Sequence, residues 1–207
     1  ITDPPYGVGF QYGTGYDDSS KGYIDFLWPI IETAEARVID GGYVVVWQTA
    51  KHARFWGEWF PREWRLFSLP KKFVQMRPTM VQWATDYALF WKLGDPVFSK
   101  EHQKSVRAWQ VSPARDWFTS VRGQEIGWDK IAGDHPCPRP DDSTRYLIGC
   151  FCPPDGVVLD PFMGSGTTLK AAHALGRRAI GIEIEERFCE LAARRLDQMT
   201  LGLEVAG

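Results

Sequence analysis

Cysteine is scarce in this chain: four residues in 207, at positions 137, 150, 152 and 189, with no Cys-x-x-Cys pair. That number and spacing exclude a disulfide-stapled scaffold and argue against a zinc cluster, so free thiols in a reducing cytoplasm are expected. Histidine is equally scarce, at four residues. His173 falls within a helical pattern and reads as structural, so no metal is expected. No apolar run approaches the roughly 20 residues a membrane helix needs, and no basic-then-apolar leader opens the chain. Neither sign of charge dominates, with 24 Lys and Arg against 26 Asp and Glu. Internal repeats and low-complexity tracts are lacking too. A hydrophobic content of 44% with 24% charged residues leaves an ordinary globular protein, a single domain over residues 1–207.

The small net charge of −2 hides an uneven distribution. Residues 1–50 hold seven acids and two bases, whereas residues 51–78 hold seven bases (Lys51, Arg54, Arg62, Arg65, Lys71, Lys72, Arg77) against two acids. A local basic stretch is what phosphate binding requires, whatever the total charge. Lys51, Arg54, Lys71, Lys72 and Arg77 are the candidate phosphate contacts, and a solvated basic surface is the competing reading. Trp56, Trp59 and Trp64 lie among them; ring packing in a core is the expected fate of most of the ten tryptophans.

Periodicity places the elements. The chain opens on Ile1, with only Ile1 and Thr2 left of a strand that should precede Asp3, so further N-terminal residues are expected. Gly7–Gly22 reads as a loop. Ile24, Leu27, Ile30, Ile31, Ala34 and Val38 recur at helical spacing, and Pro29 should kink or shorten that helix. Tyr43–Trp47 is an unbroken apolar strand suited to a parallel sheet covered on both faces. Residues 51–60 suggest a short aromatic helix, and Trp64–Phe73 with Tyr87–Leu93 suggest a hairpin at a sheet edge. Gly94–Asp134 has no clean period and reads as an insertion. A helix from about Asp142, a strand at 156–160, a Gly-rich loop, a helix at 167–175 and a strand at Ala179–Glu183 follow. The last helix carries an apolar stripe of Phe188, Leu191, Ala192, Leu196 and Met199. Alternating strands and helices predict an α/β fold, Rossmann-like and doubly wound, with a mostly parallel sheet and an antiparallel edge.

Two runs carry chemistry. Asp160-Pro161-Phe162-Met163-Gly164-Ser165-Gly166-Thr167-Thr168 sits between a strand and a helix, where such folds bind nucleotide-like cofactors. Gly164 and Gly166 let backbone approach a ligand, and Thr167 or Thr168 can cap the following helix. A dinucleotide fingerprint would need a third glycine where Leu169 stands, and a P-loop would need Gly-Lys-Ser/Thr. Asp160 would also repel a pyrophosphate. S-adenosylmethionine suits the loop better, having no phosphates but a cationic amine and a sulfonium. Glu183 at the next strand end can accept from its ribose hydroxyls. The second run, Asp3-Pro4-Pro5-Tyr6, combines a carboxylate, two rigid prolines and an aromatic ring. An aromatic amine is a weak nucleophile because its lone pair is delocalised. Hydrogen bonds to Asp3 and to the Pro4 carbonyl would draw its nitrogen toward tetrahedral geometry, on backbone stiffened by Pro4 and Pro5, while Tyr6 offers a stacking face.

With His135-Pro136-Cys137-Pro138-Arg139-Pro140 and Gly181-Ile182-Glu183-Ile184-Glu185-Glu186-Arg187-Phe188, these runs resemble the amino-methyltransferases of DNA. The order, Asp-Pro-Pro-Tyr before the cofactor loop, is that of their permuted β group. The resemblance covers residues 1–50 and 135–199. It implies that Asp3, Pro4, Pro5 and Tyr6 handle the target base. Asp160, Pro161, Phe162, Gly164, Ser165, Gly166, Thr167, Thr168 and Glu183 would surround S-adenosylmethionine, with Arg139 near its carboxylate. DNA is the implied partner, a homodimer is allowed, and residues 93–134 stand where a short target-recognition region belongs. Adenine N6 is the expected acceptor. Cytosine N4 is the alternative, whose enzymes more often carry Ser in place of Asp3. A non-catalytic DNA-binding subunit of the same fold, and methylation of a small molecule or a protein glutamine, are the rival classes.

Overall fold

The structure, a computed structural model, describes residues 1–9, 18, 21–70, 85–94 and 141–204, with side chains described through Gln198. They belong to two compact units, Asp3–Glu125 and Ile126–Gly207, the latter joined by Ile1–Thr2. The expected target-recognition region lies outside the described residues apart from Leu93 and Gly94, as does the His135–Pro140 stretch.

In the first unit, helix α1 (Tyr23–Glu35) buries Tyr23, Leu27 and Ile31, each four residues from the last. Pro29 lies inside the helix, which ends at Glu35, short of the expected stripe's last member Val38. The proline's missing N–H falls on an exposed face, while Leu27 and Ile31, at 0% and 1% exposure, hold both flanking turns in the core. The Thr33 hydroxyl donates to the Pro29 carbonyl at 2.7 Å.

Strands β1 (Tyr43–Gln48), β2 (Arg65–Pro70) and β3 (Thr85–Lys92) form an antiparallel sheet in the order β1-β3-β2. The register runs from Tyr43 opposite Lys92 to Gln48 opposite Tyr87, and from Arg65 opposite Phe90 to Pro70 opposite Thr85. The expected pairing of the second and third strands is present, with β2 at the edge. Val44–Gln48 are all buried, as an apolar run covered on both faces should be. The neighbour of β1 among the described strands is nevertheless antiparallel, because an apolar run reports burial and carries no information on strand direction. Between β1 and β2, a 3₁₀ helix (Ala50–Phe55) leads into the one-turn helix α2 (Trp56–Trp59). Trp47, Phe60, Phe67 and Leu89 fill the core of this unit.

The second unit contains α3 (Asp141–Phe151), β4 (Val157–Asp160), α4 (Thr167–Ala174), β5 (Arg178–Gly181) and α5 (Glu186–Glu204). Strands β4 and β5 pair in parallel, Val157 opposite Arg178 through Asp160 opposite Gly181, with α4 as the crossover. Ile148, Cys152, Val158, Ala171 and Ala172 form the core, with Ile1, Leu175 and Ala179 against it. Two alanines in the middle of α4 allow close packing on the pair of strands. The predicted last strand ends two residues early, at Gly181, leaving Glu183 in the connection to α5. The backbone nitrogen of Ile1 donates to the Leu159 carbonyl at 3.0 Å, so Ile1 lies beside β4.

Candidate active site

The loop after β4 is organised by two carboxylates. Asp160, 2% exposed, accepts from the Thr2 hydroxyl at 2.8 Å and from the Phe162 N–H at 3.1 Å. Burial raises its pKa above the usual carboxylate value, and hydrogen bonds from Thr168, Thr2 and the Phe162 N–H work against that rise. Glu183, half-buried, accepts from the Gly164 N–H at 3.0 Å and from the Glu185 N–H at 2.9 Å. One oxygen serves each bond, and a carboxylate oxygen has a second lone pair, which leaves room for ribose hydroxyls.

Gly166 opens α4 in the left-handed conformation, φ 79°, with no side-chain cap. The expected capping by Thr167 or Thr168 is thus not found. Both threonines lie buried inside the first turn, where Thr168 serves Asp160 and Thr167 faces Arg195. A side chain at 166 is excluded twice, by the positive φ and because a Cβ there would come within 2.7 Å of Ala192 Cβ. From α5, the Arg195 guanidinium, 5% exposed, donates to the Ser165 carbonyl, to Ser165 Oγ at 3.0 Å and to Thr167 Oγ1 at 3.5 Å. Gly164 and Ser165 are buried, and Pro161 and Phe162 are half-buried. Arg139 lies outside the described residues. The donor set suits S-adenosylmethionine: the loop has no Lys or Arg for phosphates, and Glu183 retains acceptor capacity beside the Gly164 amide.

In the other unit, the Tyr6 hydroxyl donates to Asp3 Oδ1 at 2.5 Å. Pro4 is buried, whereas Asp3, Pro5 and Tyr6 are half-buried. The run that follows is held by Asp18, 2% exposed, which accepts from the Gly7 N–H at 2.6 Å and the Val8 N–H at 3.1 Å. His52 Nε2 donates to the Tyr6 carbonyl at 2.8 Å. Burial holds the His52 pKa below the usual imidazole value, helped by Lys51 and Arg54 and opposed by the backbone hydrogen bond and Asp18. Lys51 and Arg54 are exposed on the 3₁₀ helix; the Arg54 guanidinium lies 4.4 Å from the centre of the Phe55 ring, which stacks on Trp59. Lys71, Lys72 and Arg77 lie outside the described residues.

Three residues at these sites are not singled out by the sequence. Asp18 and His52 give no signal in loop composition or in a basic stretch. Arg195 does carry one: it falls on the apolar face of α5 with Leu191 and Ala192, and a charge there calls for a buried partner. Among the described residues no helix is long and apolar enough to cross a membrane. No group of three His, Cys, Asp or Glu there could hold a metal.

Residues 1–194 match the N6/N4 family described as DNA methylase. YubD of Escherichia coli K12, named as a methylase, is 28% identical over 207 residues, covering 95% of this chain and 80% of YubD. The DNA adenine methyltransferase YhdJ of the same organism is 42% identical over 64 residues, which cover 31% of this chain and 22% of YhdJ. Among solved structures, TTHA0409 of Thermus thermophilus, named as a DNA modification methylase and complexed with S-adenosylmethionine, superposes with a TM-score of 0.70 at 21% identity, covering 96% of this chain and 84% of that one. The cytosine-N4-specific PvuII DNA methyltransferase gives 0.67 at 18% identity, covering 94% and 77%. These neighbours establish the class I methyltransferase fold, the α/β architecture expected from the alternation of elements. Matched along most of its length, the chain belongs to the N6/N4 DNA methylase family, whose methyl donor is S-adenosylmethionine.

Proposed function

We propose that this methylase acts on the exocyclic N6 of adenine in DNA, on a base turned out of the duplex. The observation that carries the reading is the Asp3–Tyr6 pair: a carboxylate at the first position of the run, oriented by a hydroxyl three residues on. Turning out the base costs a few kcal/mol, part of which stacking on Tyr6 recovers. Asp3 accepts one amine hydrogen and the Pro4 carbonyl the other, so the nitrogen lone pair is drawn out of the ring. When bound, S-adenosylmethionine supplies an electrophilic methyl group. Glu183 and the loop from Asp160 to Thr168 hold it, with Arg139 at its carboxylate. The protein's part is positioning and fixed electrostatics. Exposed Lys51 and Arg54, with Lys71, Lys72 and Arg77, contact phosphates, and residues 93–134 read the target within one 1–207 methyltransferase domain.

Cytosine N4 is the second reading, favoured by the likeness to a cytosine-N4-specific methyltransferase. Asp3 in place of serine favours adenine. Incubation with labelled S-adenosylmethionine and mixed-sequence DNA, followed by digestion to nucleosides, separates the readings. Labelled N6-methyladenine is expected. Labelled N4-methylcytosine overturns the adenine assignment, and no label in either nucleoside favours a non-catalytic subunit.

A further inference from the structure

We infer that His52 and Asp18 are positioning residues that lock the Tyr6–Gly7 peptide plane between them and so keep the Tyr6 hydroxyl on Asp3. The inference rests on the reading of Asp3 and Tyr6 as the base-handling pair. A trans peptide is rigid and planar, its C=O and N–H pointing in opposite directions. Here both are taken by side chains: the Tyr6 carbonyl accepts from His52 Nε2 at 2.8 Å, and the Gly7 N–H donates to Asp18 Oδ1 at 2.6 Å. Gripped at both edges, the plane cannot rotate without breaking one of the bonds. Rotation would swing the Tyr6 Cα–Cβ direction and withdraw the hydroxyl from Asp3.

The grip is itself braced. The His52 ring, 8% exposed, stacks on Tyr23 at 5.7 Å and packs against Trp59 at 4.9 Å. Tyr23 in turn accepts from Gln48 Nε2 at 3.1 Å. Gly7 has φ 64°, and a Cβ there would come within 2.8 Å of the Tyr23 ring, so only glycine lets the plane sit this close. A carbonyl oxygen only accepts, so Nε2 must carry the hydrogen. The lowered pKa of His52 fits a neutral imidazole in that tautomer, with Asp18 and the flanking Lys51 and Arg54 as the charges around it.

Four variants of the full chain decide the matter: His52→Phe, which keeps a ring between Tyr23 and Trp59 but loses the donor; His52→Gln, which restores an amide donor; Asp18→Ala, which removes the acceptors of both Gly7 and Val8; and Asp3→Ala. The readouts are kcat for methyl incorporation into DNA, S-adenosylmethionine affinity by calorimetry, and the thermal midpoint. His52→Phe should lower kcat about ten- to a hundred-fold with cofactor affinity within about two-fold of the unmutated chain. His52→Gln should recover most of that loss. Unchanged kcat in His52→Phe beside an inactive Asp3→Ala overturns the inference, as does an equal loss in the Phe and Gln variants. Should His52→Phe fail to fold, the decision passes to Asp18→Ala, where the same loss confined to kcat is expected and unchanged kcat overturns. Full activity in Asp3→Ala fails the base-handling reading itself.

Discussion

The Tyr6 hydroxyl spends its one hydrogen on Asp3, so under the proposed function this ring has two separable duties, orienting a carboxylate and offering a face. Asp3→Ala should reduce methyl transfer by about a hundred-fold or more with near-normal cofactor affinity, as for loss of a preorganised electrostatic group. Tyr6→Phe should fall between the unmutated enzyme and Tyr6→Ala, because the face survives and the orientation does not. Methyl incorporation beside calorimetry checks all three. His52 adds a pH dependence. Its folded pKa lies below the usual 6.5, burial being the main cause, so the unfolded chain binds the proton first. Its contribution to stability is complete above 6.5 and is lost as pH falls through the lowered folded value. Urea melts across that interval should lose stability toward acid, and His52→Phe should flatten the change. The aromatic and acidic members of the run are legible in the sequence, because four adjacent residues announce themselves. Asp18 and His52, 11 and 46 positions from their partners, are not, because contacts closed by tertiary packing leave no local pattern.

At the scale of elements, the glycine loop between β4 and α4 is braced from α5 by Arg195. Gly166 is where α4 meets α5. Gly166→Ala should destabilise by about 1–3 kcal/mol, from a left-handed φ forced on alanine plus the clash with Ala192. Adding Ala192→Gly should relieve the closest contact while Ala192 Cα still stands at 3.2 Å, and thermal melts of both single variants and the double separate that relief from the cost of glycine in α5. Helix α1 shows where legibility stops. Its apolar spacing is readable as far as Val38, yet the helix ends at Glu35 and carries Pro29 inside it, between turns held by buried Leu27 and Ile31. The threonines after Gly166 are a parallel case. Thr167 and Thr168 have the chemistry of caps, but Asp160 and Arg195 claim their hydroxyls first. The strand–loop–helix–strand order of the second unit is legible because its period changes sharply at each boundary.

For the whole molecule, a net charge of −2 conceals an acidic first quarter and a basic stretch behind it. If that stretch meets phosphates, the double variant Lys51→Ala, Arg54→Ala should weaken DNA binding. It should also reduce the slope of log affinity against log salt by about 0.9 for each phosphate no longer neutralised. Sequence preference should hardly move, since phosphate contacts position rather than specify. An unchanged slope in a fluorescence titration returns Lys51 and Arg54 to the solvated surface. The alternation of strands and helices makes the fold class readable at this scale, whereas the antiparallel neighbour of β1 is not, because pairing direction is decided by partners distant in the chain.

Thr2 and Asp160, hydrogen-bonded across a separation of 158 residues, also constrain the order of assembly. A ribosome makes Thr2 long before Asp160, with the whole Asp3–Glu125 unit synthesised between them. Thr2 therefore waits, long after its own synthesis, for β4 to be made before this bond can form. Long-range closure of this kind slows folding relative to local pairing. Until it happens, the buried carboxylate at the end of β4 lacks one of its donors, so the loop after β4 is completed only when two widely separated stretches of the chain have met.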